Sequence, residues 1–193
     1  MKFSIKHIAN TFFTSCTYVL SDGESRWLVD CGDVEPLLPL LEGRSVKGVL
    51  LTHAHFDHIY GLNELLRRFP DVLVYTNGCG RDTLLDARKN MSLYHETPFV
   101  FEHPDNIRIV DDGDEIELSA GLKAKAVSTP GHHPSCLTFV VDNAIFTGDS
   151  YIPGAKVVTN LPKGNKSQAL ESLERIMEMA RGLTVYPGHY IEE

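Results

Sequence analysis

No stretch of the 193-residue chain approaches the roughly 20 consecutive apolar residues that a membrane span needs. Residues 1–8 alternate apolar and polar side chains, with Lys2 and Lys6 among them, where a secretory leader would have an uninterrupted apolar core. Cysteine is sparse. Cys16, Cys31, Cys79 and Cys136 are too widely spaced for a paired-cysteine zinc ribbon or a disulfide redox motif. Without a leader they are expected to be reduced thiols in a cytoplasmic protein. No basic cluster exceeds two residues, and Arg67–Arg68 reads as the solvated end of a helix. A formal net charge of −8 repels nucleic-acid phosphates and anionic lipid, so the expected partner is a small-molecule substrate, with neither nucleic acid nor membrane. Low-complexity tracts, fixed-period repeats and Ser/Gly linkers are missing as well, so residues 1–193 read as one continuous domain, large enough to bury a core. Nothing in the sequence specifies an oligomeric state.

What is present is an alternation of short apolar runs. Residues 3–7, 13–20 and 27–29 have strand character, with a turn at Asp22–Gly23. Residues 35–41 suit a short helix entered at Pro36, and 46–51, an apolar run apart from Lys47, has strand length and is expected to be buried on both faces. A helix is predicted next, ending at Phe69, with Leu62, Leu65, Leu66 and Phe69 at core-facing spacing. Then come a strand at 72–75, a helix at 81–89, and strands at 107–110, 115–118, 123–128, 137–141 and 144–147, the last two joined by a turn at Asp142–Asn143. Residues 166–180 place Leu170, Leu173, Ile176 and Met177 on one helical face, and 183–186 is a final strand. Strands, helix, strands, helix imply two sheets covered by helices on their outer faces.

The chemistry concentrates directly after the apolar run, in His53-Ala54-His55-Phe56-Asp57-His58. Residues two apart on an extended segment point the same way, so His53 and His55 can bind one ion together. Asp57 and His58 lie where the chain turns into the helix and can face a second ion. A lone histidine is usually a surface or satisfied core residue and a helix-entry Asp usually a cap, but three His and one Asp so packed have no comparable bland explanation. Imidazole and carboxylate suit zinc, with iron or manganese as alternatives. Three more ligand-type residues sit just past strand ends beside a turn-forming Gly: His132 in Thr129-Pro130-Gly131-His132, Asp149 in Gly148-Asp149, and His189 in Gly188-His189. Loops at strand ends can gather on one rim.

These four blocks resemble the metallo-β-lactamase superfamily, and the resemblance runs from about Phe13 to the C-terminus. It implies a four-layer αββα sandwich and two divalent ions, zinc first. It also implies that His53, His55 and His132 hold one ion, that Asp57, His58 and His189 hold the other, and that Asp149 bridges them. Asp30, in Val29-Asp30-Cys31-Gly32, matches a family position where a carboxylate orients a ligand imidazole through its other ring nitrogen. The expected reaction is hydrolysis of an ester-like carbonyl by water activated between the ions, with Asp57 also orienting that water. Within the superfamily the sequence is most similar to small glyoxalase II-like hydrolases of acyl thioesters, on the segment from Gly148 through Thr159-Asn160-Leu161-Pro162 and on Asn90-Met91-Ser92. It departs from that subgroup at Val158, where Arg is common, and from the wider family at His133, where Thr is frequent, and at Ser135–Cys136, where Gly–Ser is frequent. The alternatives are an iron persulfide dioxygenase using His53, His55 and Asp149, and a non-catalytic metal-binding protein on the same fold. His7, His95 and His103 match no ligand position and are expected outside the cluster.

Overall fold

The computed structural model describes residues 3–23 and 25–190. Strands β1 (Ser4–Ala9), β2 (Cys16–Asp22), β3 (Ser25–Val29), β4 (Ser45–Leu50), β5 (Leu73–Thr76) and β6 (Ile107–Ile109) form a six-stranded sheet in chain order. β1, β2 and β3 pair antiparallel, and β3 to β6 run parallel. The second sheet has the order β11-β10-β9-β8-β7, built from β7 (Glu115–Ser119), β8 (Leu122–Ser128), β9 (Leu137–Val141), β10 (Ala144–Gly148) and β11 (Thr184–Pro187). Helices α1 (Leu38–Leu41), α2 (Leu62–Arg68) and α3 (Gly78–Leu84) lie in the connections of the first sheet, and α4 (Lys166–Met179) joins β10 to β11.

Two cores follow from the period-two alternation of doubly buried strands. Tyr18, Leu20, Trp27, Val29 and Leu50 point into a core shared with Ile116, Leu118, Phe139 and Phe146 of the other sheet. Their chain neighbours Val19, Leu28, Val49 and Leu51 point the opposite way, onto Leu37, Leu41, Leu62, Leu65 and Leu66 of the helical layer. Polar tips of the inter-sheet residues are satisfied across the layer. The Trp27 indole donates to the Leu118 carbonyl at 3.0 Å, and the Tyr18 hydroxyl donates to the Pro187 carbonyl at 2.7 Å. The αββα architecture expected from the sequence is the one found.

Three local expectations are corrected. The strand predicted over 13–20 begins at Cys16, because Phe13 and Thr14 adopt left-handed φ of 51° and 55° and turn the chain before it can pair. The helix predicted over 81–89 spans Gly78–Leu84 instead: Asn77 caps it by accepting from Gly80 N, and the Asp86 side chain takes Arg88 N–H beyond its end. In α4 the buried stripe is Ala169, Ser172 and Ile176, while Leu170 and Met177 are half exposed. A close approach dictates this stripe. Gly131 has φ +139°, a Cβ there would come within 2.3 Å of Ala169 N, and Ser172 donates to the Pro130 carbonyl at 2.6 Å. Only small side chains fit so near another backbone.

Candidate metal centre

β8, β10 and β11 run in one direction, and their C-terminal ends meet the C-terminal end of β4 across the inter-sheet core. The rims are tied by Leu137 N–H to the Thr52 carbonyl at 2.7 Å and Cys16 N–H to the Gly188 carbonyl at 2.8 Å. Every sequence-predicted ligand lies in a loop leaving this rim. After β4 the chain stays extended and carries buried His53 and His55; a 3-10 turn, Phe56–His58, then swings Asp57 and His58 in beside them. The Asn90 carbonyl receives Phe56 N–H at 2.9 Å and buttresses that turn.

All seven predicted residues converge. His53, His55 and His132 can each present one ligand atom within 4.8 Å of the others, as can Asp57, His58 and His189, and a third such group, His53, His58 and Asp149, joins the first two. His132 Nε2 and His55 Nδ1 are 2.9 Å apart, and His58 Nε2 and His189 Nε2 are 3.3 Å apart. Asp149 Oδ2 lies 3.5 Å from His132 Nε2 and 3.4 Å from His189 Nε2, between the two sets. Gly188 is required by this crowding: a Cβ there would sit 2.3 Å from Asp149 Oδ1 and 3.0 Å from His58 Cε1.

The surroundings fix which ring nitrogen faces inward. His132 Nδ1–H donates to the Val158 carbonyl at 2.8 Å and His189 Nδ1–H to the Phe13 carbonyl at 2.8 Å. A carbonyl can only accept, so both rings turn an unprotonated Nε2 toward the cluster whenever they are neutral. Asp30 serves His58 in the same way, with Oδ2 2.8 Å from His58 Nδ1. It also accepts from Thr52 N at 2.8 Å and Thr52 Oγ1 at 2.6 Å, so one buried carboxylate anchors both the strand exit and a ligand. Asp30 has a φ of 57°, a conformation Asp tolerates better than most residues.

Burial pushes the His53 imidazole well below its usual range and His55 down to about 3, so both are neutral at ordinary pH. Burial also opposes charge on His58, but the Asp57 and Asp30 carboxylates override it and raise His58 well above its usual value. For His189, hydrogen bonds to Asp149 and Asp57 likewise override burial and push it up to about 10. Burial works to raise the two carboxyls, and the neighbouring imidazoles hold both below the ordinary carboxylate range, Asp149 the more strongly.

Other histidines lie outside the cluster, as expected. His7 Nε2 is 3.1 Å from Cys16 Sγ, His95 stacks on Phe56 with ring centroids 4.8 Å apart, and His103 packs on Phe101. His133, which has no place among the predicted ligands, is a close neighbour of them. Its ring lies 4.8 Å from that of His55, and its Nδ1 receives Ser135 N–H at 3.2 Å, while Ser135 Oγ receives Ala54 N–H at 3.2 Å, between two predicted ligands. The Phe13 and Val158 carbonyls escape sequence reasoning altogether, since a main-chain acceptor carries no residue signature.

The family model for the metallo-beta-lactamase superfamily matches residues 9–189. A hydroxyacylglutathione hydrolase of Xylella fastidiosa (strain M12) is 32% identical over 178 residues, 90% of this chain and 58% of that protein. An atrochrysone carboxyl ACP thioesterase of Aspergillus fumigatus is 30% identical over 188 residues, 90% of this chain and 37% of that protein. This chain thus spans less than two thirds of either relative. The solved BLEG-1 B3 metallo-beta-lactamase superimposes with a TM-score of 0.86 at 25% identity, over 97% of this chain and 92% of the other. A family match that takes in both sheets, together with that overlay, places the chain in the metallo-beta-lactamase superfamily.

Proposed function

We propose that this protein is a metal-dependent hydrolase of acyl thioesters or related ester-like substrates. The observation that carries the reading is a set of buried acceptors with nothing to accept. His53 Nε2 and His55 Nε2 are sealed from solvent without a hydrogen-bond partner, and Asp149 Oδ1, equally sealed, has a long 3.4 Å approach to His58 Nε2. Each orphaned buried polar atom costs about 1–3 kcal/mol, and divalent cations would satisfy all three at once. Nitrogen and carboxylate donors in two overlapping triads suit zinc, with iron or manganese as alternatives. His53, His55 and His132 would hold one ion, Asp57, His58 and His189 a second, and Asp149 would reach both.

When bound, such a pair supplies Lewis acidity and a water whose pKa falls from ~15.7 toward about 7. The chain contributes the rest. Asp57, ionised and with Oδ2 3.2 Å from His189 Nε2, is placed to orient that water and to accept its proton. Asp30 keeps the His58 ring in one orientation. Nearby side chains make poor nucleophiles. The Ser150 hydroxyl is spent on the Thr129 carbonyl at 2.8 Å, and burial pushes the Cys136 thiol up to about 12. The two relatives support the substrate class, one being named a thioesterase and the other a hydrolase of an acylglutathione.

The test is elemental analysis of purified protein alongside a panel of thioesters, lactones, β-lactams and phosphodiesters, with oxygen uptake followed in parallel. About two metal equivalents per chain and preferential thioester turnover are expected. A single tightly held iron with oxygen consumption would replace hydrolysis by the dioxygenase reading.

Metal loading should also release protons. In metal-free protein the Asp30, Asp57 and Asp149 carboxylates favour the protonated forms of His58 and His189, and ligation requires the neutral rings. Zinc titration calorimetry in buffers of different ionisation enthalpy should therefore report at least one proton displaced. The same shift sets a sign for the metal-free fold. The folded His189 pKa is raised to about 10, so its contribution to stability is full below the unfolded value of ~6.5 and is lost as pH rises through 10. The melting temperature of the metal-free protein should accordingly fall between pH 8 and pH 10. Zinc uptake with no proton release would refute this charge assignment.

A further inference from the structure

Away from the metal centre, one cavity gathers positive charge from three separate stretches of the chain. Its volume is about 430 Å³, and Lys6, Arg26 and Arg44 line it with Ser4, Ser21 and Leu40; among the described residues no carboxylate does. The strand register explains the gathering. Ser4 stands opposite Ser21, Lys6 opposite Val19, and Arg26 opposite Ser21, so these side chains share one face of the six-stranded sheet. It is the face from which Val19 packs into the helical layer. Asp22, the next residue, points through the other face, where Ser119 Oγ donates to it. The adjacent acid is thereby turned away.

Arg26 is fixed in place. Its Nε donates to the Leu40 carbonyl at 3.2 Å, and its Nη1 donates to the Gly23 and Ser25 carbonyls at 2.7 and 2.9 Å. These bonds tie β3 to α1 and hold the guanidinium plane, while Nη2 meets no acceptor among the described residues. Carbonyls satisfy N–H groups without an opposing charge, so the cation stays uncompensated. Glu35, just before α1, is taken by Arg68 at 2.8 Å. Among the described residues neither Lys6, Arg26 nor Arg44 forms an ion pair. In a chain of net charge −8 that is against the overall balance.

We propose that this cavity binds a small multivalent anion, a molecule bearing phosphate or carboxylate groups, through Lys6, Arg26 and Arg44, with the Ser4 and Ser21 hydroxyls donating. A pre-oriented guanidinium matches the oxygen spacing of both groups, and the volume falls in the range of small-molecule sites, roughly 300–1,000 Å³. The site is distinct from the metal centre. β3 and β4 begin beside the cavity, at Ser25 and Ser45, whereas Asp30 and His53 follow their opposite ends. The anion is therefore not the acyl group being cleaved, and the inference stands whether or not the hydrolase reading does. A broad anionic membrane is opposed by the net charge, which a small ligand inside the hollow escapes.

The test uses metal-loaded protein with inorganic phosphate and phosphonoacetate as probes, followed by calorimetry and by amide shifts in NMR spectra. Both should bind with a Kd below about 1 mM at low ionic strength, phosphonoacetate the more tightly, and should move the amides of Lys6, Ser21, Arg26 and Arg44. Lys6→Gln and Arg44→Gln should each weaken binding about fivefold or more, as loss of a charge-assisted hydrogen bond implies, with metal content and the rest of the amide spectrum as in wild type. Lys125→Gln removes the same charge from the second sheet and should leave the affinity alone. Raising NaCl from about 0.05 M to about 0.5 M should lower the affinity severalfold. Shifts confined to the metal centre, no binding by either probe, or equal weakening in Lys125→Gln overturns the proposal. So does sedimentation with phosphatidylglycerol vesicles without binding of the soluble probes, which would make the patch a membrane contact.

Discussion

Asp57→Ala is expected to lower thioester turnover by about 10²–10⁴-fold, the range attached to a positioned proton-transfer group, and to drop bound metal from about two equivalents toward one. The cause is geometric. Asp57 supplies the only carboxylate of the Asp57, His58 and His189 group, with Oδ2 3.2 Å from His189 Nε2 and 3.5 Å from His58 Nε2. Its removal takes away an anionic donor and leaves two imidazoles that favour their protonated forms with less negative charge around them. The other group, His53, His55 and His132, does not include Asp57 and should keep its ion. Metal content and kcat measured on the same preparation check the result; unchanged turnover with unchanged stoichiometry would take Asp57 out of both roles.

Asp30→Ala should have the largest effect on stability, about 3–5 kcal/mol in chemical denaturation, together with a 10–100-fold loss of metal affinity. Asp30 touches no predicted ion, yet it accepts from Thr52 N, Thr52 Oγ1 and His58 Nδ1 inside the protein. Alanine would leave those three donors unsatisfied and would also have to adopt a φ of 57°. Asp30→Asn separates the contributions. It keeps the backbone conformation and one acceptor oxygen but removes the charge that favours the His58 imidazolium, so it should recover part of the stability and little of the proton release on zinc binding. Equal behaviour of the Ala and Asn variants in both measurements would contradict this division.

The cluster was legible because its residue types are rare in such company. Four metal-competent side chains in six positions after an apolar strand announce themselves, and His132, Asp149 and His189 each follow a Gly at a strand end. Asp30 could be picked out only through the family resemblance, and its triple anchoring became visible once Thr52 and His58 were brought beside it. The periodicities gave both sheets, although the run read over 46–51 is interrupted by exposed Lys47 and is buried on both faces only from Gly48 onward. They misjudged α4, where larger Leu170 and Met177 outweighed Ala169 and Ser172 in any hydrophobic count. What decides that face is the nearness of Gly131, a tertiary fact with no local trace. Phe13 and Thr14 failed in the same way: both are good strand residues by type, and the left-handed turn is imposed by what Phe13 O and Ser15 bind.

The six-stranded sheet provides His53, His55, Asp57 and His58, and the five-stranded sheet provides His132, Asp149 and His189. Cations held among them would rivet one half of the molecule to the other at its open edge. Chelation would then do more than silence chemistry: it would unfasten the seam from the rim downward, leaving Trp27, Phe139 and Phe146 to keep the halves together.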